Sequence, residues 1–243
     1  MGLYHIFGYW TYILQAIAIV HFIRRRPNAF WLWIILIGGG LGALVYFIME
    51  VVPDLGLLKG SFKFFERRQK IASLEDIIQQ NPSAGNYEEL ADLHLENKNY
   101  QRALDCYNHA ISSRTDSLDP FYRRGICEVE LGDFTNAIPD LERVVQKDPK
   151  YDFLRAQGLL AHAYAKTSQP DRAAAIFPKV LETSTISETM YNYAQFLLAQ
   201  GRKAEARDWA QRILSKRAAM PGYLKRRERP WFRKANSIIK QAT

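Results

Sequence analysis

The sequence begins with two long runs of apolar residues. Leu3 to Ile23 and Ala29 to Met49 contain no Asp, Glu, Lys or Arg, and only a short basic turn separates them. Each run is long enough for a helix that crosses a hydrocarbon core about 30 Å thick. Aromatic residues such as Trp10 and Trp31 lie near the ends of the runs, as is typical of spanning helices. The pattern predicts a transmembrane helical hairpin over residues 1–52.

Basic residues predict how such a hairpin is oriented. Arg24, Arg25 and Arg26 lie in the turn, whereas a larger group of Lys and Arg follows the second run within residues 59–70. Because basic residues close to membrane helices favour the cytoplasmic side, the larger group favours a cytoplasmic over a periplasmic C-terminal part. We therefore expect a two-pass protein of a bacterial inner membrane that contacts membrane lipid through the hairpin.

The second run also carries a pattern of individual residues. Trp33, Gly39, Gly42 and Tyr46 follow the three arginines. This arrangement resembles the N-terminal two-helix module of cardiolipin synthases and related phospholipase D-type proteins, in which a proline usually stands at the position of Gly39. The resemblance implies an anchor. It implies no reaction, because the sequence lacks the His-x-Lys-x-x-x-x-Asp motif of those enzymes.

Residues 53–82 are predicted to form a linker and a leading helix. Proline and glycine residues mark the linker. Ser73 and Asp76 have the spacing of a capping box, and Pro82 follows soon after, so the spacing predicts a helix over 72–81.

From residue 83 onward, small and aromatic residues recur at a nearly constant interval. Four alanines lie 34, 36 and 33 residues apart: Ala103, Ala137, Ala173 and Ala206. Tyr107 and Phe177 each follow one of these alanines by four residues. Each interval contains two amphipathic segments joined by a short turn. Such helix pairs cannot bury their apolar faces alone, so they are expected to stack.

This pattern resembles the tetratricopeptide repeat, whose period is about 34 residues. The resemblance implies an all-α fold in which a TPR α-solenoid of about four repeats covers residues 83–215. Residues 216–243, which follow a break at Pro221, are expected to form a basic C-terminal capping helix. Pro178 lies inside a predicted helix and is expected to bend or break it.

Charge and the reactive residue types restrict the function. The net charge is +8, yet the basic residues concentrate at both ends and leave an acidic middle part. Cys106 and Cys127 do not have the spacing of a CxxC pair, and the histidines lack a metal-ligand spacing. No phosphate-binding loop or nucleophile elbow occurs. The sequence therefore predicts no enzyme, no cofactor and no metal, and binding is the chemistry that remains.

In tetratricopeptide arrays, the inner face of each first helix usually lines a ligand groove. The resemblance assigns ten residues to that face: Glu88, Asp92, Glu96, Tyr122, Glu130, Arg155, His162, Lys166, Tyr191 and Gln195. Chaperone-binding members of the family use Lys and Asn to clamp a peptide carboxylate. Here Glu88 and Asp92 stand at the corresponding places, which argues against such a clamp and favours a basic segment.

These observations predict a membrane-anchored scaffold that binds a protein or peptide client and has no catalytic activity. Two alternatives stay open. The hairpin suggests an accessory subunit of a membrane phospholipid enzyme. The basic and aromatic segment 225–234 suggests a binder of anionic lipid or nucleic acid, of which nucleic acid is the less favoured. Self-association, with the basic tail of a second copy in the acidic groove, is a further expectation.

Overall fold

The computed structural model describes residues 3–25, 28–51, 57–112 and 117–242. These residues form thirteen α-helices, one π-helical turn and no strand. They divide into two compact units, Met1–Ser73 and Leu74–Thr243. The expectation of an all-α fold is thus confirmed.

Within the described residues, the first unit contains three complete helices and a π-helical turn, followed by residues 57–73 of a fourth helix. Their bounds are Leu3–Arg25 for α1, Phe30–Ile37 for α2, Gly39–Tyr46 for α3 and Phe47–Val51 for the turn. The second apolar run is therefore divided at Gly38. Gly39 has a φ of 52°, a conformation that glycine adopts readily and that interrupts a right-handed helix.

Polar side chains of α1 are used for contacts with the two short helices. Gln15 Nε2 donates to the carbonyl oxygen of Ile35 at 2.9 Å, and His21 Nδ1 is hydrogen-bonded to the hydroxyl of Tyr46 at 2.9 Å. Ala18 and Ala43 are fully buried between these contacts. The first run therefore contains polar side chains that form hydrogen bonds within the protein, although it contains no Asp, Glu, Lys or Arg before Arg24.

The prediction of a two-pass inner-membrane protein is wrong. Within the described ranges, no helix is both long and apolar enough to cross a membrane. The run 29–49 forms two helices of 8 residues each and a short turn. The predicted location of the solenoid on the cytoplasmic or the periplasmic side depended on this hairpin and is therefore unsupported. The predicted contact with lipid through the hairpin is unsupported for the same reason.

Helix α4, Leu57–Gln80, is longer than the predicted leading helix. Ser73 lies inside it, so the predicted capping box at Ser73 is wrong. Residues 52–56 of the predicted linker lie outside the described residues.

Four helix pairs follow, as the repeat pattern predicts. The pairs are α5 Ala84–Glu96 with α6 Tyr100–Ser112, α7 Asp119–Leu131 with α8 Phe134–Lys147, α9 Arg155–Lys166 with α10 Pro170–Thr183, and α11 Ser187–Ala199 with α12 Lys203–Ala219. Helix α13, Gly222–Gln241, closes the array and packs against both α11 and α12. Among the first helices of the pairs, α9 contacts both α7 and α11, and the three form an inner layer.

The recurring small residues lie where the paired helices cross. The four periodic alanines are completely buried, and so are Tyr107 and Phe177. One large apolar cluster extends from Phe121 to Ile238, and a small separate cluster contains Ala91, Ala103, Tyr107 and Cys127. The positions chosen from sequence periodicity are therefore core positions.

Pro178 was expected to bend or break its helix, and the break does not occur, because α10 runs from Pro170 to Thr183 without interruption. A proline removes one backbone donor, which leaves the carbonyl group four residues earlier without its helical bond. That residue is Ala174, and it is exposed. Water can therefore replace the missing bond, and the burial of Phe177 and Val180 on the opposite side keeps the helix in place.

Left-handed backbone marks several connections. Gly132 and Gly201 end α7 and α11 with φ of 83° and 75°, and Lys98 takes the same place after α5 with φ of 60°. Between α8 and α9, three consecutive residues are left-handed: Asp152, Phe153 and Leu154. None of these three is glycine, so neighbouring contacts hold this turn.

Candidate functional site

A continuous groove runs along the inner layer of the solenoid. Its first part is a cavity of about 440 Å³ between α5, α7 and α9. Its second part, of about 680 Å³, shares Asp152 and Arg155 with the first. Its third part, of about 290 Å³, shares Glu188 and Trp231 with the second. The shared lining residues join the three parts from α5 to α13.

Most of the ten predicted groove residues lie in this groove or beside it. Tyr122 and Arg155 line the first part, and Glu130, His162, Tyr191 and Gln195 line the third. Glu88 and Asp92 are half-buried on α5, close to the first part. Glu96 and Lys166 are exposed and line none of the three cavities described.

Asp92 links the first repeat to the second. It accepts a hydrogen bond from the Tyr107 hydroxyl at 2.6 Å and forms an ion pair with Arg123 at 2.8 Å. Burial raises the pKa of Glu88, and the nearby carboxylates of Asp92 and Asp119 raise it further. The first part of the groove thus contains carboxylates close enough to repel one another, although Arg123 offsets part of their charge.

A second polar chain crosses the middle of the groove. The hydroxyl of buried Tyr122 donates to Asp152, and Arg155 Nε pairs with Glu188 Oε2 at 2.6 Å. Arg155 NH1 lies 3.5 Å from Asp152 as well. These bonds join α7, the left-handed turn, α9 and α11. Sequence reasoning missed Asp152, because a residue between two helices has no place in a repeat register.

The third part of the groove combines aromatic rings with a cation. The Tyr191 and Trp231 rings lie 5.8 Å apart. The ammonium group of Lys234 lies 4.3 Å from the Trp231 ring centroid and 5.3 Å from that of Tyr191. Burial lowers the pKa of His162 to about 4, and the charges of Lys166 and Lys234 act in the same direction. His162 is therefore neutral at physiological pH.

Trp231 and Lys234 line the groove, whereas the sequence predicted that they belong to a cap or to a segment that binds anionic lipid or nucleic acid. Helix α13 packs on α11 and α12 in the way that the first helix of another repeat would. It buries Phe232, Ala235 and Ile238 and directs Trp231 and Lys234 to the groove. The sequence did contain one sign of this arrangement. Trp231 and Lys234 are three residues apart, which places both side chains on one face of a helix.

The described residues contain no group of three or more His, Cys, Asp or Glu that could hold a metal ion. Cys106 is partly buried and Cys127 is buried, and neither forms a disulfide. Burial raises the pKa of the Cys127 thiol to about 12 and that of Cys106 to about 11. Both thiols are therefore protonated at neutral pH and are poor nucleophiles.

Comparison with solved structures shows a shared fold. A tetratricopeptide repeat protein from Parabacteroides merdae is 15% identical with a TM-score of 0.55, and the match covers 94% of this chain and 90% of that one. PilW, a type IV pilus biogenesis factor, is 17% identical with a TM-score of 0.54 over 76% of this chain and 88% of that one. YrrB, described as a TPR protein with an unusual peptide-binding site, is 20% identical with a TM-score of 0.53 over 65% and 79%.

No curated protein matches the sequence. Two family models, each described as tetratricopeptide repeat, match residues 90–175 and 159–222. Both lie within the unit that contains the four helix pairs, and together they span more than half of the sequence. Residues 90–222 therefore form tetratricopeptide repeats.

Proposed function

We propose that the chain is a scaffold that binds an extended segment of a partner protein in the groove and catalyses no reaction itself. The observation that carries this proposal is the continuity of the groove across α5, α7, α9, α11 and α13. A groove of this kind suits a segment that contacts several helices in succession. The description of the similar protein YrrB as peptide-binding supports the same function.

We further propose that the segment carries Lys or Arg side chains at the α5–α7 end. Glu88, Asp92, Asp119 and Asp152 lie at or beside the first part of the groove, where Arg123 and Arg155 supply opposing charges. The carboxylates outnumber the cations there, so the local field favours a cationic ligand. Tyr122 and Tyr151 line the same part and offer ring surfaces to the aliphatic portion of such a side chain.

The test measures binding of fluorescent peptides to the full chain by anisotropy. Lys-rich peptides should bind more tightly than Glu-rich peptides of equal length, and the difference should shrink as salt rises, because exposed charges are screened. Glu88→Lys should weaken binding of the Lys-rich peptide about tenfold. The matched control is Glu89→Lys, the exposed neighbouring position on α5. Equal effects of the two variants, or equal binding of both peptides, would contradict the proposal.

A further inference from the structure

We infer that α13 supplies a second recognition subsite, in which Lys234, held beside the rings of Trp231 and Tyr191, binds a carboxylate of the same ligand. This inference rests on the proposed function and assigns to the last helix a role beyond that of a cap. It makes the groove bipolar, with a cation-binding end at α5–α7 and an anion-binding end at α11–α13.

The position of Lys234 is the first argument. Its ammonium group is held near two aromatic rings, Trp231 and Tyr191. A ring face attracts the charge without accepting a full hydrogen bond, so the N–H donors of the ammonium group remain available. Among the described residues, Lys234 takes part in no ion pair. A ligand carboxylate would give this cation an acceptor of opposite charge.

The surroundings of Lys234 are the second argument. Asn192 and Gln195 line the same cavity and carry amide N–H groups that can donate to an anion. His162 lines this cavity from α9, and the charges of Lys166 on α9 and Lys234 on α13 both lower its pKa. The positive field at this end therefore comes from two helices.

Two carboxylates, Glu130 and Glu188, also line this cavity, and their positions determine which wall of the cavity is negative. Glu188 is paired with Arg155, which offsets its charge. Glu130 belongs to α7, whereas Lys234 belongs to α13. The negative wall of the cavity thus faces the acidic part of the groove, and the positive wall faces the end of the array. A ligand with both kinds of charge should bind in one orientation.

The experiment compares peptides that share a Lys-rich part and differ at the other end. One peptide ends in an Asp–Glu pair with an amidated C-terminus, one has a free C-terminal carboxylate and no acidic side chain, and one has neither. Binding to the full chain is measured for the wild type, Lys234→Glu and Arg233→Glu. Arg233 is exposed on the same helix and lines none of the three cavities, so its variant is the matched control.

We expect Lys234→Glu to weaken binding of the acidic peptide about tenfold. Binding of the peptide without a carboxylate should stay unchanged. The two results together would distinguish the anion-binding subsite from the cation-binding end of the groove. The free-terminus peptide shows whether the carboxylate comes from a side chain or from the chain end. Equal effects of Lys234→Glu and Arg233→Glu, or equal affinity of the wild type for all three peptides, would overturn the subsite while leaving the basic preference intact. If none of the peptides binds the wild type, both proposals fail.

Discussion

The first helix pair and the three later pairs bury their small residues in separate apolar clusters. The later pairs and α13 share one continuous cluster from Phe121 to Ile238. The first pair has a small cluster of its own, to which α7 contributes Cys127. Beyond that, only Ile111 of the first pair is packed against the large cluster among the described residues, and polar contacts such as those between Asp92, Tyr107 and Arg123 add to the link.

Repeats of similar sequence therefore need not be equally stable. An apolar cluster that crosses several interfaces couples the helices that share it. Partly exposed ion pairs and hydrogen bonds contribute much less, about 1 kcal/mol each. We therefore expect α5 and α6 to open at a lower free energy than α7 to α13. Three variants test this expected difference in stability between the first pair and the later pairs.

The largest effect should come from Gly158→Ala in the continuous cluster. A Cβ atom added there would lie 2.5 Å from Thr189 Oγ1 and 2.9 Å from Thr189 Cγ2. Thr189 is 1% exposed and β-branched, so it cannot turn away. We expect a loss of about 3 kcal/mol in the free energy of unfolding, measured by chemical denaturation.

Gly85→Ala in α5 is the matched control. A Cβ atom at that position would meet nothing within 4 Å. The control should be neutral or slightly stabilising, since Ala is the better helix former. If Gly158→Ala behaves like Gly85→Ala, α9 and α11 are not in close contact and the continuous cluster is weaker than described.

Glu128→Gln should have an intermediate effect on the free energy of unfolding, and this effect should depend on pH. Glu128 is buried on α7 near Asp140, and Oε2 has no hydrogen-bond partner. Burial and then the Asp140 charge raise its pKa to about 7. The folded state therefore binds the proton more tightly than the unfolded state, and stability falls as pH rises from about 4.5 through 7.

Gln cannot ionise, so this variant should lose that pH dependence. We expect it to be more stable than the wild type by about 2 kcal/mol at pH 8 and similar to it at pH 4.5. Denaturation curves at both pH values provide the measurement. Glu182→Gln, at an exposed position on α10, should follow the wild type throughout. A constant difference between Glu128→Gln and the wild type would show that Glu128 does not titrate in this range.

The smallest effect should come from Tyr107→Phe in the first pair. The change removes the bond from the hydroxyl to Asp92 and retains the buried ring. We expect a loss of about 1 kcal/mol, with faster amide hydrogen exchange in α5 and α6 and unchanged exchange in α9 to α11. Faster exchange in all repeats would show that the first pair does not open by itself.

Periodic features of the fold could be predicted from the sequence, and features without a period could not. Ala103 and Ala137 identified the helix crossings because the same steric requirement recurs in each repeat. Arg123 was not recognised as a partner of Asp92, because their ion pair joins two different helices, and Asp152 was missed because it lies in a turn outside the repeat register. The absence of charge from 29–49 predicted a spanning helix, but it carried no information about the backbone of Gly39, which ends the helix early.

The left-handed turn between α8 and α9 has a consequence for the entropy of ligand binding. The amide of Arg155 donates to the Asp152 carbonyl at 2.9 Å, and the Asp152 carboxylate accepts from Tyr122. The turn thereby fixes this carboxylate at the groove before any ligand arrives. A partner segment would become ordered on binding, whereas this part of the groove is already ordered before the partner binds. The loss of conformational freedom on association should therefore fall mainly on the partner.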